Sequence, residues 1–233
     1  MLKNKNVIII GGSSGIGLAT AQTAALAEAN VTIASRSLEK LHIAKEQIKG
    51  NVQIAQLDVR DEHEIKQFFA TQGKIDHLII TANEPKFRGI KDMSITEARQ
   101  DFDGLFWPVY TIAKYAMDKI DKQGSIVLTS GVLAVKPMKD TTLLNAAVNA
   151  IEGFAKALAI DIAPVRVNVL SPGFTRTPLL GDSPEQTFAG ILDKTLLKRI
   201  GEPEEMADTV MYLLNNKYIT GQVIRVEGGL LLG

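Results

Sequence analysis

An apolar strand pattern that runs straight into a glycine-rich turn constrains this chain more than any other feature. Lys5-Asn-Val-Ile-Ile-Ile10 is followed by Gly11-Gly-Ser-Ser-Gly-Ile-Gly17, and a helix pattern continues from Ile16 to Ala29. An unbroken run of branched residues suits a strand buried on both faces of a parallel sheet. Glycines at 11, 15 and 17 let the backbone turn sharply and come close to a bound group, and the helix N-terminus favours negative charge there. The unit is therefore suited to a phosphate or pyrophosphate.

Six more short apolar runs follow, near Val31 to Ala34, Val52 to Leu57, His77 to Thr81, Ser125 to Thr129, Arg166 to Leu170 and Gln222 to Val226. Between them lie helix patterns over Leu38 to Ile48, Ser94 to Ile120 and Thr141 to Ile162. Ser94 with Glu97 and Asp61 with Glu64 fit capping boxes, and Pro203 suits the first turn of a further helix. Because strand-helix-strand crossovers are right-handed, this alternation winds helices onto both faces of a seven-stranded parallel sheet. The expected architecture is α/β, a single-domain, doubly wound Rossmann fold. Thr175 to Gly201 follows the sixth strand without a clear pattern, at the edge where ligands bind, and is expected to form a substrate lid.

The 233 residues are enough for one substantial core. Twenty-six basic and 26 acidic side chains cancel and are spread along the chain, so neither nucleic acid nor an anionic membrane is expected as a partner. A small-molecule substrate is. The absence of cysteine excludes disulfides and thiolate metal or redox sites, and His42, His63 and His77 are not clustered, so no metal is expected. No signal-peptide pattern precedes the first strand and no apolar run looks long enough to span a bilayer, which makes the cytoplasm the expected location.

The glycine spacing resembles the opening of the short-chain dehydrogenase/reductase family, Thr-Gly-x-x-x-Gly-x-Gly. Further segments match that family in order: Leu57-Asp-Val59, Gly124-Ser-Ile-Val127, Val165-Arg-Val-Asn168, Pro172-Gly-Phe-Thr-Arg-Thr177, Glu202-Pro-Glu-Glu205 and Ile219-Thr-Gly-Gln222 with Gly228-Gly229. The resemblance implies a nicotinamide dinucleotide, with Gly11, Ser13, Ser14, Gly15, Ile16 and Gly17 at the pyrophosphate and Asp58 and Val59 at the adenine. It also assigns Thr81 and Ala82 to the cofactor site, and Pro172, Gly173, Phe174 and Thr177 to the nicotinamide and its phosphates. The second strand ends Ala34-Ser35-Arg36-Ser37, about twenty residues past the glycines, where an NAD site would place a carboxylate on the ribose. Arg36 instead offers a fork-shaped cation suited to a 2′-phosphate, with Ser35 or Ser37 in support. The expected cofactor is NADP(H).

Hydride transfer to a carbonyl leaves an alkoxide that needs a proton. The family supplies an asparagine, a serine, a tyrosine and a lysine, and by the resemblance this sequence has Gly104 near the asparagine position, Leu144 and Val148 at the tyrosine and lysine, and at the serine either Gly131 or, with a shift of one residue, Ser130. No tyrosine occurs between Ala116 and Met211. Ser130, Thr142 and Asn145 are the remaining catalytic candidates, with Thr129 and Thr141 as further hydroxyls. Tyr110-Thr-Ile-Ala-Lys114 has the Tyr-x-x-x-Lys spacing, but it lies on the helix before the fifth strand, where core or interface packing is its expected use. Leu143, Leu144, Val148, Phe174, Leu179, Leu180 and Phe188 fit either an apolar guest or plain core.

These features point to an NADP(H)-dependent oxidoreductase of short-chain type with a non-standard proton source, acting on a small apolar carbonyl, quinone or activated alkene. The alternative is a catalytically idle NADP(H)-binding sensor or structural subunit. By resemblance a homodimer or homotetramer is expected, with contacts around Trp107 to Ile120 and Thr141 to Ile162.

Overall fold

The structure is a computed structural model that describes residues 2–82, 85–181 and 189–233. Its strands are β1 (Asn6–Ile10), β2 (Asn30–Ser35), β3 (Val52–Gln56), β4 (Ile75–Ile80), β5 (Ile120–Thr129), β6 (Arg166–Pro172) and β7 (Val223–Val226). They form one seven-stranded sheet in the order β3-β2-β1-β4-β5-β6-β7, with every pairing parallel. The helices are α1 (Gly15–Leu26), α2 (Leu38–Gln47), α3 (Glu62–Thr71), α4 (Ile95–Ala116), α5 (Thr142–Asp161) and α6 (Pro203–Asn215), with a single helical turn at Ala189–Leu192. The doubly wound α/β fold expected from the alternation of elements is the one observed.

The alternation of side chains along each strand divides the core in two. Ile9, Ile33, Val127 and Leu170 face α1, α2 and α6, where they pack with Ala21, Leu41 and Val210. Ile8, Ile10, Leu78 and Leu128 face the opposite way and pack with Phe69 of α3, Ile112 of α4 and Ile151 of α5. All six residues of the central strand β4 are buried, which is why its sequence, Ile-Asp-His-Leu-Ile-Ile, shows no in-out alternation.

Helix boundaries follow local chemistry. Glu97 Nα donates to Ser94 Oγ (3.2 Å) and Ser94 Nα donates to Glu97 Oε2 (2.8 Å), completing the predicted capping box of α4. At α3 only half of the box forms. Asp61 Oδ1 accepts from the amides of His63 and Glu64, but the Glu64 carboxylate turns to accept from the Asp58 amide at 2.8 Å. Pro203 opens α6, as expected. The first helix ends at Leu26, short of the predicted Ala29, because Glu28 takes a φ of +61°, outside the helical region. Contrary to expectation, α5 is apolar and long enough on composition to cross a bilayer, with a mean hydropathy of 1.3. Its face carrying Ala147, Ile151, Ala155 and Leu158 is buried in the protein core.

After β3 the chain crosses back to place β4 beside β1. At that reversal the connections leave in opposite directions from the carboxyl ends of β1 and β4, and a crevice opens between them.

Candidate functional site

A cleft of about 660 Å³ occupies this crevice. Gly11, Ser13, Ser14, Gly15, Ile16 and Gly17 line its floor. Backbone packs here with no room for side chains. A Cβ on Gly17 would lie 2.2 Å from the Gly11 carbonyl oxygen, and one on Gly11, whose φ is +93°, would lie 2.7 Å from the Ala82 amide nitrogen. Thr81 Nα donates to the Ile10 carbonyl (2.9 Å), holding the end of β4 against the turn. Ser14, the N-cap of α1, makes no side-chain cap bond, so the first-turn amides carry no side-chain partner from their own cap. Such an N-terminus, with glycine backbone around it, fits a pyrophosphate.

At one end of the cleft stand Ser35, Arg36 and Ser37. Ser35 Oγ is buried with no hydrogen-bond partner among the described residues. Ser37 caps α2 by accepting from Lys40 Nα at 3.2 Å, so its own proton remains to be donated. This cap also brings Lys40 to the cleft wall, and Arg60 joins from the loop after β3. Neither was picked out in the sequence; the signal for Lys40 was a cap residue three positions earlier. Two further cations beside Arg36, together with an unpaired hydroxyl, fit a 2′-phosphate.

Val59 lines the cleft, but Asp58 does not. Its carboxylate turns back to Arg60, accepting from Nη2 at 2.6 Å and from Nε at 3.0 Å. The Arg60 hydrogen bond holds the Asp58 carboxyl below its ordinary value.

Pro172, Gly173, Phe174 and Thr177 line the opposite end. Thr177 approaches the glycine turn so closely that a Cβ on Gly15 would lie 2.9 Å from its Cγ2. The base of the expected lid is pinned, because Gly201 Nα donates to the Phe174 carbonyl and Arg176 Nα to the Gly201 carbonyl, both at 2.8 Å. Within that segment Leu179 and Leu180 border the cleft, whereas Phe188 lies outside the described residues.

Gly104, Gly131, Leu144 and Val148 all face the cleft. Leu144 and Val148 are each 6% exposed and belong to an apolar cluster with Leu105, Leu133 and Ala147. Thr142 and Asn145, expected as catalytic candidates, do not line the cleft, and neither does Leu143. Leu144 and Val148 occupy one face of α5, which turns residues 142 and 145 away. The Asn145 side-chain amide donates to the Leu133 carbonyl. Thr141 Oγ1 is also engaged, donating to the Met138 carbonyl at 2.6 Å.

Ser130 is in the wall, yet its hydroxyl donates to Glu152 Oε1 at 3.0 Å, and Glu152 Oε2 accepts from Arg225 Nη2 at 3.1 Å. No sequence pattern signalled this chain, which joins residues from three separate elements. Thr129 Oγ1 is buried without a partner among the described residues. At the mouth, Lys86 Nζ donates to Asp101 Oδ1 at 2.8 Å, and Arg88 donates to Oδ2. Burial alone would raise the Asp101 carboxyl, but these hydrogen bonds outweigh it and hold the group low. Tyr110 and Lys114 stay out of the cleft. The Tyr110 ring packs 5.6 Å from those of Trp107 and Phe154, and Lys114 Nζ sits 5.3 Å from the Tyr115 ring.

The family model described as enoyl-(acyl carrier protein) reductase matches residues 11–231. Carbonyl reductase family member 4 of Xenopus laevis is 33% identical over 243 residues, covering 98% of this chain and 99% of the relative. Short-chain dehydrogenase/reductase malC of Malbranchea aurantiaca is 32% identical over 254 residues, covering 100% and 96%. The structure of MalC reductase/Diels-Alderase from that organism superposes with a TM-score of 0.90 at 31% identity, covering 100% of this chain and 98% of the other. A small-chain dehydrogenase solved in complex with NADPH superposes with a TM-score of 0.82, also at 31% identity, covering 99% and 100%.

Proposed function

The chain belongs to the short-chain dehydrogenase/reductase family and is an oxidoreductase of that type, and from that premise we propose that it uses NADP(H) to move hydride to or from a small apolar substrate. The observation that carries the cofactor choice is the end of β2. Arg36 stands where a ribose-binding carboxylate would otherwise be, flanked by the Ser35 hydroxyl, which has no partner among the described residues, and joined by Lys40, with the Arg60–Asp58 ion pair next to it. The likeness to a relative solved with NADPH supports the same choice.

When bound, the nicotinamide supplies or accepts the hydride. Gly11, Gly15 and Gly17 would admit the pyrophosphate to the N-terminus of α1, while Pro172, Gly173, Phe174 and Thr177 would hold the nicotinamide end. Leu144 and Val148 bring no proton donor to the wall, and the Ser130 proton is already given to Glu152. The substrate proton comes from water or from the Thr129 hydroxyl. A positioned acid contributes about 10²- to 10⁴-fold, and holding the reactants in register can contribute more, so hydride transfer survives without a tyrosine. Carbonyls, quinones and activated alkenes fit this arrangement, the latter two because the negative charge they acquire is delocalised. The second reading, an idle NADP(H)-binding protein, draws on the same two apolar side chains.

The exposed Trp107 and Tyr110 on α4, together with Ile160 on α5, support a homodimer or homotetramer built on these helices. Fluorescence titration of NADPH and NADH against wild type and Arg36→Ala tests the cofactor. Loss of a charge-assisted contact of about 1.5–3 kcal/mol should weaken NADPH by about ten- to a hundredfold and leave NADH unaffected. An unchanged preference for NADPH would remove the role given to Arg36. Tight NADPH binding without oxidation by carbonyls, quinones or activated alkenes would leave the idle reading standing.

A further inference from the structure

We infer that Gly104 and Gly131 determine substrate specificity by keeping open an apolar chamber for a rigid ring system, and that the substrate is a fused-ring quinone; this rests on the hydride-transfer reading above. The two glycines reach the cleft from different elements, Gly104 from the interior of α4 and Gly131 from the turn after β5. A Cβ built on either would meet nothing within 4 Å beyond its chain neighbours and, for Gly104, the backbone of its own helix, whereas one on Gly17 would strike the Gly11 carbonyl oxygen at 2.2 Å. Neither position needs glycine for its own conformation. Gly131 has an extended φ of −172°, and Gly104 is helical. Glycine inside a helix lowers stability by about 0.5–1 kcal/mol relative to alanine, so α4 gives up stability at a place where the fold has room for a side chain.

The chemistry of this chamber is narrow. Leu133, Leu144 and Val148 form its apolar side, and the Ser130 hydroxyl donates to Glu152 Oε1 at 3.0 Å. A guest seated against these three side chains is largely apolar, and with the Lys86 ammonium held by Asp101 it accepts hydride without a strong acid beside it. A simple ketone would become a localised alkoxide, a strong base. A quinone would become a hydroquinone anion whose charge spreads over the ring, and water can protonate it. The balance is NADPH plus quinone plus one proton from water, giving NADP⁺ and hydroquinone. The quinone takes the hydrogen with both electrons of the broken C–H bond. The room beside the two glycines admits a flat fused ring, and branched side chains at these positions would fill it.

The test uses the full chain with menadione, a two-ring naphthoquinone, as probe. Wild type is compared with Gly104→Leu and Gly131→Leu, and with Gly104→Ala and Gly131→Ala as smaller fillers that the fold accommodates. Three quantities are measured: kcat and KM for menadione at saturating NADPH, menadione affinity for the NADP⁺-loaded protein by equilibrium dialysis, and NADPH affinity by fluorescence. Each leucine variant should weaken menadione about 10- to 200-fold in both KM and dialysis, the alanine variants less, with NADPH affinity unchanged. Menadione turnover that is indifferent to all four substitutions overturns the chamber and leaves the oxidoreductase reading intact. Menadione binding that weakens with filling but never leads to turnover supports the chamber and defeats the hydride-transfer reading. No menadione binding to wild type overturns the inference.

Discussion

Replacing His77 by asparagine is expected to remove about 2.5 kcal/mol of acid sensitivity between pH 7 and pH 4.5. His77 lies on β4, only 6% exposed, with Nδ1 2.8 Å from the Oγ of the fully buried Ser125. Burial, reinforced by the charge of Arg166, lowers the imidazole from its ordinary 6.5 to about 4. The folded protein therefore keeps His77 neutral while the unfolded chain takes up a proton as the pH falls through 6.5. Stability is lost progressively from about pH 6.5 to about pH 4, and below that both states are protonated and nothing further is lost. The gap between the two values is worth roughly 3 kcal/mol at 1.36 kcal/mol per pH unit, most of it already lost by pH 4.5. The assay is urea unfolding of wild type and His77→Asn at several pH values over this range. Every other titratable group is present in both proteins, so its contribution cancels in the difference. Parallel losses of stability in the two proteins would refute the reasoning. A wild type that loses about 2.5 kcal/mol more than the variant bears it out.

Two other substitutions probe the cleft floor and the far end of the sheet. Gly17→Ala sets a Cβ 2.2 Å from the Gly11 carbonyl oxygen. It should cost about 1–3 kcal/mol, lower Tm by roughly 2–12 °C and weaken NADPH binding; a scan with a native Tm would contradict the packing described. Arg166→Met removes the donors that reach the Leu213 carbonyl at 2.7 Å and the Leu214 carbonyl at 2.9 Å, at the end of α6. Stripping two buried carbonyls should cost about 2–4 kcal/mol in urea unfolding with NADPH affinity unchanged, and an unmoved midpoint would rule out that role.

The elements legible in the sequence are those whose signals are local. A strand buried on both faces must be apolar throughout, as Val7 to Ile10 and Leu78 to Ile80 are, and a turn that brings backbone within van der Waals contact of backbone must carry glycine, as at Gly11 and Gly17. Ser94 and Glu97 satisfy each other within one turn of helix, so their pairing could be read three residues apart. From such short-range rules came the sheet, the anion-binding turn after β1, and Arg36 at the end of β2.

Side-chain direction was decided by packing. Asp58 and Glu64 each had a plausible local role, yet Asp58 turned to Arg60 and Glu64 to the Asp58 amide. Thr142 and Asn145 are close in sequence to Leu144 and Val148, but the seating of α5 against the sheet turns only the two apolar residues toward the cleft. The Ser130 hydroxyl faced two possible fates, and Glu152 and Arg225 settled it from α5 and β7. The sequence alone determined which backbone could form and where an anion would be welcome, because those depend on neighbours along the chain. Which polar groups remain available to a substrate depends on neighbours across it, and only the folded packing of remote elements assigns each proton its acceptor.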